Sequence, residues 1–208
     1  MNGTIYAPNT NVGSCKERGD VPGITVSGKA PATAGIARLT PVPFVTKLQP
    51  VTAGESDVKV KADTAFPPLA PGRYRDITVD GKGTLTLLPG TYNIKSLRLT
   101  RGAKIKIAPS TTADPVIINV AETNTDNPLD LSGGSVANPS GNPANLFFFY
   151  GGDGEISLTG NADSYGIVYA PNASAELSGQ ADWYGALVVK TLEGRGGSAL
   201  HYDRNLGR

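Results

Sequence analysis

Apolar and polar residues alternate in short runs along most of this chain, and nearly every run is fenced by Gly, Pro, Asn or Asp. Thr84-Leu-Thr-Leu87 and Lys104-Ile-Lys-Ile107 alternate strictly, which predicts strands with one wet and one buried face. Val116-Ile-Ile-Asn-Val120, Leu146-Phe-Phe-Phe-Tyr150 and Ala186-Leu-Val-Val189 are near-continuous apolar runs, suited to strands covered on both faces. The pattern as a whole predicts strands at 4–7, 24–27, 58–61, 77–79, 84–88, 96–100, 104–108, 116–120, 146–150, 155–159, 166–170, 175–178, 185–190 and 199–202. One helix candidate, Ala32 to Leu39, contains Gly35 and lies between Pro31 and Pro41.

The strands recur at a near-constant spacing. Gly3-Thr-Ile-Tyr-Ala-Pro-Asn9 returns as Gly166-Ile-Val-Tyr-Ala-Pro-Asn172, and Pro71-Gly-Arg-Tyr74 returns 18 positions later as Pro89-Gly-Thr-Tyr92. Phe147 to Ile167 is 20 positions, and Gly166 to Gly185 is 19. Repeats of this length are single supersecondary units that bury their apolar faces only by stacking on one another. The expected fold is all-β: a right-handed parallel β-helix of about six to eight coils, forming one domain over residues 1–208. Its expected core contains Ile5, Ile77, Leu85, Leu97, Ile105, Ile117, Phe148, Ile167, Leu187 and Leu200. An antiparallel two-sheet sandwich is the structural rival.

Two stretches break the rhythm. Residues 31–56, with Pro31, Pro41, Pro43 and Pro50, read as an extended excursion across the coil surface. Residues 122–145, rich in Asn, Gly and Pro, read as a polar interruption. The chain opens inside a repeat, so the leading strand Gly3–Pro8 presents an edge expected to be covered by the 31–56 excursion or paired with another molecule. The same start predicts a trimmed piece of a longer exported protein.

Composition narrows the function. Lys and Arg (19) balance Asp and Glu (18), leaving no net field to recruit nucleic acid or an anionic membrane. The Gly (26) and Pro (16) content fits a fold with many turns. No run approaches the ~20 apolar residues of a membrane-spanning helix. Cys15 is the sole cysteine, which excludes an internal disulfide and reads as an inert side chain. His201 is the sole histidine.

Candidate chemistry is sparse, and each candidate has a plainer reading. Asp126 and Asp130, with Asn124 and Asn127, offer clustered oxygens for Ca2+, although turn-forming Asn and Asp account for the same letters. Asp153, Glu155, Asp163 and Asp182 are the carboxylates that stacking would bring to one side of a coil, as glycoside hydrolysis requires, but each lies in a turn. Lys95, Arg98, Arg101, Lys104 and Lys106 form the densest basic patch, able to meet an anionic glycan or to serve as a solvated strand face. Thr84 and Thr86 show the Thr-x-Thr spacing of a flat ice-binding face, which Arg98, Lys104 and Glu176 then interrupt. Late aromatic residues, among them Tyr150, Tyr165, Tyr169, Trp183, Tyr184 and Tyr202, would stack on sugar rings if exposed and cap the coil if buried.

Tyr165-Gly-Ile-Val-Tyr-Ala-Pro-Asn-Ala173, Trp183-Tyr-Gly-Ala-Leu-Val-Val-Lys190 and Ala199-Leu-His-Tyr-Asp203 together resemble the C-terminal domain of PilX-type pilus-assembly proteins. They are also similar to Gly-rich bacterial cell-surface domains of the choice-of-anchor and ice-binding-like kind, as is Leu69-Ala-Pro-Gly-Arg-Tyr74 through Leu88-Pro-Gly-Thr-Tyr-Asn93. The resemblance spans residues 70–208 and, more faintly, 1–9, and implies a β-helix outside a bacterial cell. It supplies no catalytic residue. The expected role is a non-catalytic structural or adhesive module of a surface or pilus-associated protein. Surface glycans or other envelope proteins would be its partners, and no cofactor is required. The alternatives are a carbohydrate-binding or polysaccharide-degrading protein and, third, an ice-binding protein.

Overall fold

A computed structural model describes residues 4–7, 24–26, 35–38, 48–62, 65–109, 114–121, 126–138, 141–158, 163–180 and 182–202; for 4–7, 24–26, 35–38 and 135–137 it describes the backbone alone. The chain is all-β, and every strand pair among these residues is parallel. An antiparallel sandwich is therefore excluded.

The strands fall into three rows. The first runs from Val58–Val60 through Asp76–Val79, Ser96–Leu99, Leu129–Asp130 and Ile156–Ser157. It continues into the second halves of Ser164–Leu177 and Trp183–Gly194 and ends on Ile24–Val26. The second row runs from Gly72–Arg73 through Gly90–Ile94, Val116–Val120 and Leu146–Tyr150. It then takes in the first halves of the same two long strands and ends on Leu200–Tyr202. The third row holds Thr84–Leu87, Ala103–Ile107 and Gly134–Ala137. From residue 72 to 157 the chain visits second, first and third rows in a fixed cycle. Ser164–Leu177 and Trp183–Gly194 turn the corner between second and first rows with a register shift between Ala170 and Ser174, which joins the two rows into one strongly curled sheet.

Parallel register stacks like on like. Ile77, Leu97, Leu129, Ile156 and Ala175 form one inward column, and Tyr92, Ile118, Phe148 and Val168 another, all of them buried. Each Leu, Ile or Phe so buried contributes roughly 1.5–3 kcal/mol by leaving water. The outward column of the first row, Lys59, Thr78, Arg98, Asp130, Ser157, Glu176 and Glu193, is polar throughout. Alternation along the first row thus becomes a dry inside and a wet outside.

The Pro-Gly-x-Tyr repeat is a staple between neighbouring strands of the second row. Tyr92 is buried, and its hydroxyl lies 2.7 Å from the carbonyls of Leu88 and Leu69. Tyr74 donates in the same way to Ala70, 2.8 Å away, so each tyrosine bonds the residue before its own proline. Gly90 has φ 130°, and a Cβ there would lie 2.5 Å from the Pro71 ring of the preceding motif. Only glycine fits beneath that proline.

Several expectations change. Gly35–Arg38, inside the predicted helix, is a strand, because pairing with Thr4–Ala7 overrides a weak local preference. That pairing places part of the 31–56 excursion against the leading strand, the covered alternative of the two foreseen. Ile117 and Ile167 point outward and are half-buried, while Ile118 and Val168 fill the core. A continuous apolar run hides which parity faces inward, and one residue of register reverses every side chain. Leu187 and Leu200 are only half-buried and pack against the edge of the core. The interruption at 122–145 is not merely a loop: Leu129–Asp130 and Gly134–Ala137 continue the first and third rows through it. Ile5 lies where side chains are outside the described set.

Candidate functional site

The second row ends in a short column of aromatic and acidic residues. Parallel register sets Ser164 against Trp183 and Leu200, so Tyr165, Tyr184 and His201 align one position further along. The rings stack: Tyr165 on Tyr184 with centroids 4.9 Å apart and planes 16° from parallel, and Tyr184 on His201 at 4.4 Å and 10°. Trp183, one residue earlier in the strand, faces inward, fully buried, with its indole N–H donating to the Gly166 carbonyl at 3.1 Å. It fixes the strand that carries Tyr184.

Asp163 and Asp182 stand at the entry to these strands. Asp163 accepts the backbone N–H of Asp182 at 3.1 Å, and Asp182 accepts that of Ala199 at 2.9 Å. Each carboxylate therefore tethers the coil that follows it. The second oxygen of Asp182 lies 2.7 Å from Nε2 of the exposed His201. Partial desolvation, reinforced by the nearby charges of Asp163 and Asp182 and then by Tyr165, raises the Tyr184 hydroxyl above the usual phenol value. Tyr184 stays a neutral hydrogen-bond donor. The column offers ring edges, two phenol hydroxyls and an imidazole. Its two carboxylates already hold backbone amides.

The sequence foresaw that Asp163 and Asp182 would share one side of the stack, and they do. It did not foresee His201 beside Asp182, although part of the signal was present: Asp163-x-Tyr165 and Asp182-x-Tyr184 are two in-register copies of one tripeptide, and Ala199-x-His201 follows them in the same register. Asp153 and Glu155 are exposed, and no hydrogen bond or ion pair joins them to the column.

The other candidates disperse. Arg98 pairs with Asp130 at 3.2 Å on the first row, and Arg101 pairs with Asp80 at 2.9 Å at the corner beyond it. Lys104 and Lys106 are exposed on the third row, and half-buried Lys95 sits in the bend between second and first rows. The five cations do not converge on one patch. Asp130 is nearly buried and accepts from Arg98, from the Ser132 hydroxyl and from the Ser132 N–H, whereas Asp126 is exposed and takes no part in that network. Among the described residues no three His, Cys, Asp or Glu side chains gather as a metal cluster. Asn124 and Cys15 lie outside the described residues. On the third row Thr84 is followed by Lys104, and Thr86 by Lys106, so the threonine ladder stops after one rung. Arg98 and Glu176 belong to the first row, not to this face. Among the described residues no helix is long and apolar enough to cross a membrane.

Residues 56–208 match the profile of a domain of unknown function, DUF7305, and the chain belongs to that family. The match begins at the coil where buried Val58 starts the first row. No curated protein and no solved structure matches the chain.

Proposed function

We propose, with DUF7305 membership as the premise, that this chain is a right-handed parallel β-helix serving as a non-catalytic structural or adhesive module of a bacterial surface or pilus-associated protein. One observation carries the non-catalytic part. The two candidate carboxylates that stacking brings together are engaged in tethering the strand that follows, Asp163 to Asp182 and Asp182 to Ala199, as are Asp57 to Arg75, Asp76 to Ser96, and Asp80 to Thr100 and Arg101, while exposed Asp153 and Glu155 lie apart. A general acid or nucleophile needs its oxygens free to meet a substrate. The cyclic visiting of three parallel rows supports the coiled solenoid, since stacking is what lets each short unit bury its apolar face.

A carbohydrate-binding role is the second reading. The Tyr165–Tyr184–His201 column favours it, because its ring edges and the exposed His201 offer apolar contact and hydrogen bonds to a sugar. A glycan-array screen run beside a reducing-sugar release assay separates the two. The module reading expects no sugar release from any polysaccharide. Release that disappears in Asp163→Ala or Asp182→Ala would replace it with an enzyme.

A further inference from the structure

Residues 48–51 cross the outer face of the second row without joining it as a strand. Pro50 has no N–H to offer a sheet, which keeps the segment from pairing. Between the segment and the sheet lies a cleft of about 300 Å3, lined among the described residues by Leu48, Gln49, Val51, Asn119, Val120, Phe149 and Gly151. That size is at the lower end of small-molecule sites, which run from about 300 to 1,000 Å3.

The floor is an outward column in which Asn93, Asn119, Phe149 and Tyr169 follow one another in register. Asn119 donates to Asn93 across one coil at 2.9 Å. A primary amide carries two N–H donors and a carbonyl oxygen with two lone pairs, so this single bond leaves the pair with three N–H donors and both oxygens able to accept. Gln49 adds a further exposed amide on the other wall. Phe149 supplies a half-buried ring beside them.

We infer that this cleft binds a neutral sugar of one or two rings, held by Asn119 and Gln49 and packed on Phe149. The inference rests on the adhesive reading above and gives its glycan a place and a chemical class. Among the described residues no lining residue is charged, so an anion or a cation would be desolvated there without a counter-charge from them. An apolar ligand would leave the amides facing it unpaired. Adjacent hydroxyls on a sugar both donate and accept, matching an amide's neighbouring donor and acceptor, and the ring's C–H face suits Phe149. Tyr184 and His201 belong to the other column and take no part.

The test titrates the full chain with glucose, galactose, mannose, N-acetylglucosamine, maltose and cellobiose, with galacturonate as the charged control. The side-chain amide signals of Asn93, Asn119 and Gln49 are followed by NMR. At least one neutral sugar is expected to shift them saturably with a Kd of order 1 mM or tighter, while galacturonate does not. Gln49→Ala, at an exposed position with no bond to lose, and Val51→Trp, which fills the cleft, should each weaken binding about tenfold or more, equivalent to about 1.4 kcal/mol. Lys104→Ala, exposed on the third row, should leave it unchanged. The inference fails if no neutral sugar shifts these amides, if galacturonate binds as well, or if Gln49→Ala and Val51→Trp both bind like the parent. Failure here without sugar release leaves the module reading standing. Sugar release lost in Asp182→Ala would remove that reading whatever the cleft binds.

Discussion

Arg75 grips Asp57 with two hydrogen bonds, Nε to Oδ1 at 2.7 Å and Nη2 to Oδ2 at 2.8 Å, across one turn of the stack. The guanidinium fork matches a carboxylate's two oxygens, and Arg101 repeats the grip on Asp80 at 3.0 and 2.9 Å. These pairs bind adjacent coils at the corners of the first row.

The Arg75 hydrogen bonds lower the Asp57 carboxyl to about 2, and those from Arg101 and Thr100 lower Asp80. A carboxyl whose folded value lies below its unfolded value of about 3.9 stabilises the fold fully above that pH and stops doing so as pH falls through its folded value. Both pairs face solvent, so the effect is small. Thermal melts from pH 5 to pH 2 should show Asp57→Asn less stable than the parent near pH 5, with the gap narrowing steadily and most of it gone near pH 2. A gap that widens on acidification would contradict the assignment.

Leu97 stands between Ile77 and Leu129 in the inward column and is 1% exposed. Leu97→Ala should cost about 2–5 kcal/mol, the lost transfer energy plus the cavity left behind. At this chain length that lowers Tm by roughly 5–15 °C. Lys104→Ala, on the wet side of the third row, should move it by less than about 0.5 kcal/mol. Circular dichroism melts of the two variants decide the matter.

Gly185 has φ 138°, and a Cβ on it would overlap the carbonyl of Gly166 in the neighbouring coil. Gly185→Ala therefore combines backbone strain with a clash and should destabilise by about 3 kcal/mol or more. Gly141 is the contrast: φ is 63° and nothing lies within 4 Å of its absent Cβ. Gly141→Ala should cost about 1 kcal/mol, from strain alone. Comparable losses at both sites would mean that the close approach at Gly185 is wrong.

Trp183 is the sole tryptophan and is fully buried. Its fluorescence should be blue-shifted in the native protein and move red in a single step with denaturant. Trp183→Phe keeps most of the ring but leaves the Gly166 carbonyl without its donor, at a cost of about 1–3 kcal/mol. Urea titration followed by circular dichroism measures that loss.

How much the letters revealed depends on how local each cause was. Thr84-Leu-Thr-Leu87 and Lys104-Ile-Lys-Ile107 carry their parity on their face, so Leu85 and Ile105 were placed in the core from sequence alone. In Val116–Val120 and Ser164–Leu177 both parities are apolar, and Ile117 and Ile167 were assigned to the wrong side. The two-residue strands Gly72–Arg73 and Leu129–Asp130 left no periodic trace, because two residues cannot display a period, and Gly134-Ser-Val-Ala137 is built of small residues with no clear alternation.

What the sequence determined by itself is the repeating unit. Alternation, turn residues and the 18-to-20-residue spacing follow from backbone sterics and apolar burial within one coil, and these are written locally. What only the tertiary structure decided is which residues meet across coils. Insertions lengthen some turns, so Leu97 meets Leu129 at a separation of 32 while Gly166 meets Gly185 at 19. The partners of Asp182, the stack of Tyr184 on His201 and the cleft beneath Gln49 depend on the sum of those offsets. A contact between coils is fixed by register, and register belongs to the pair of strands rather than to either one.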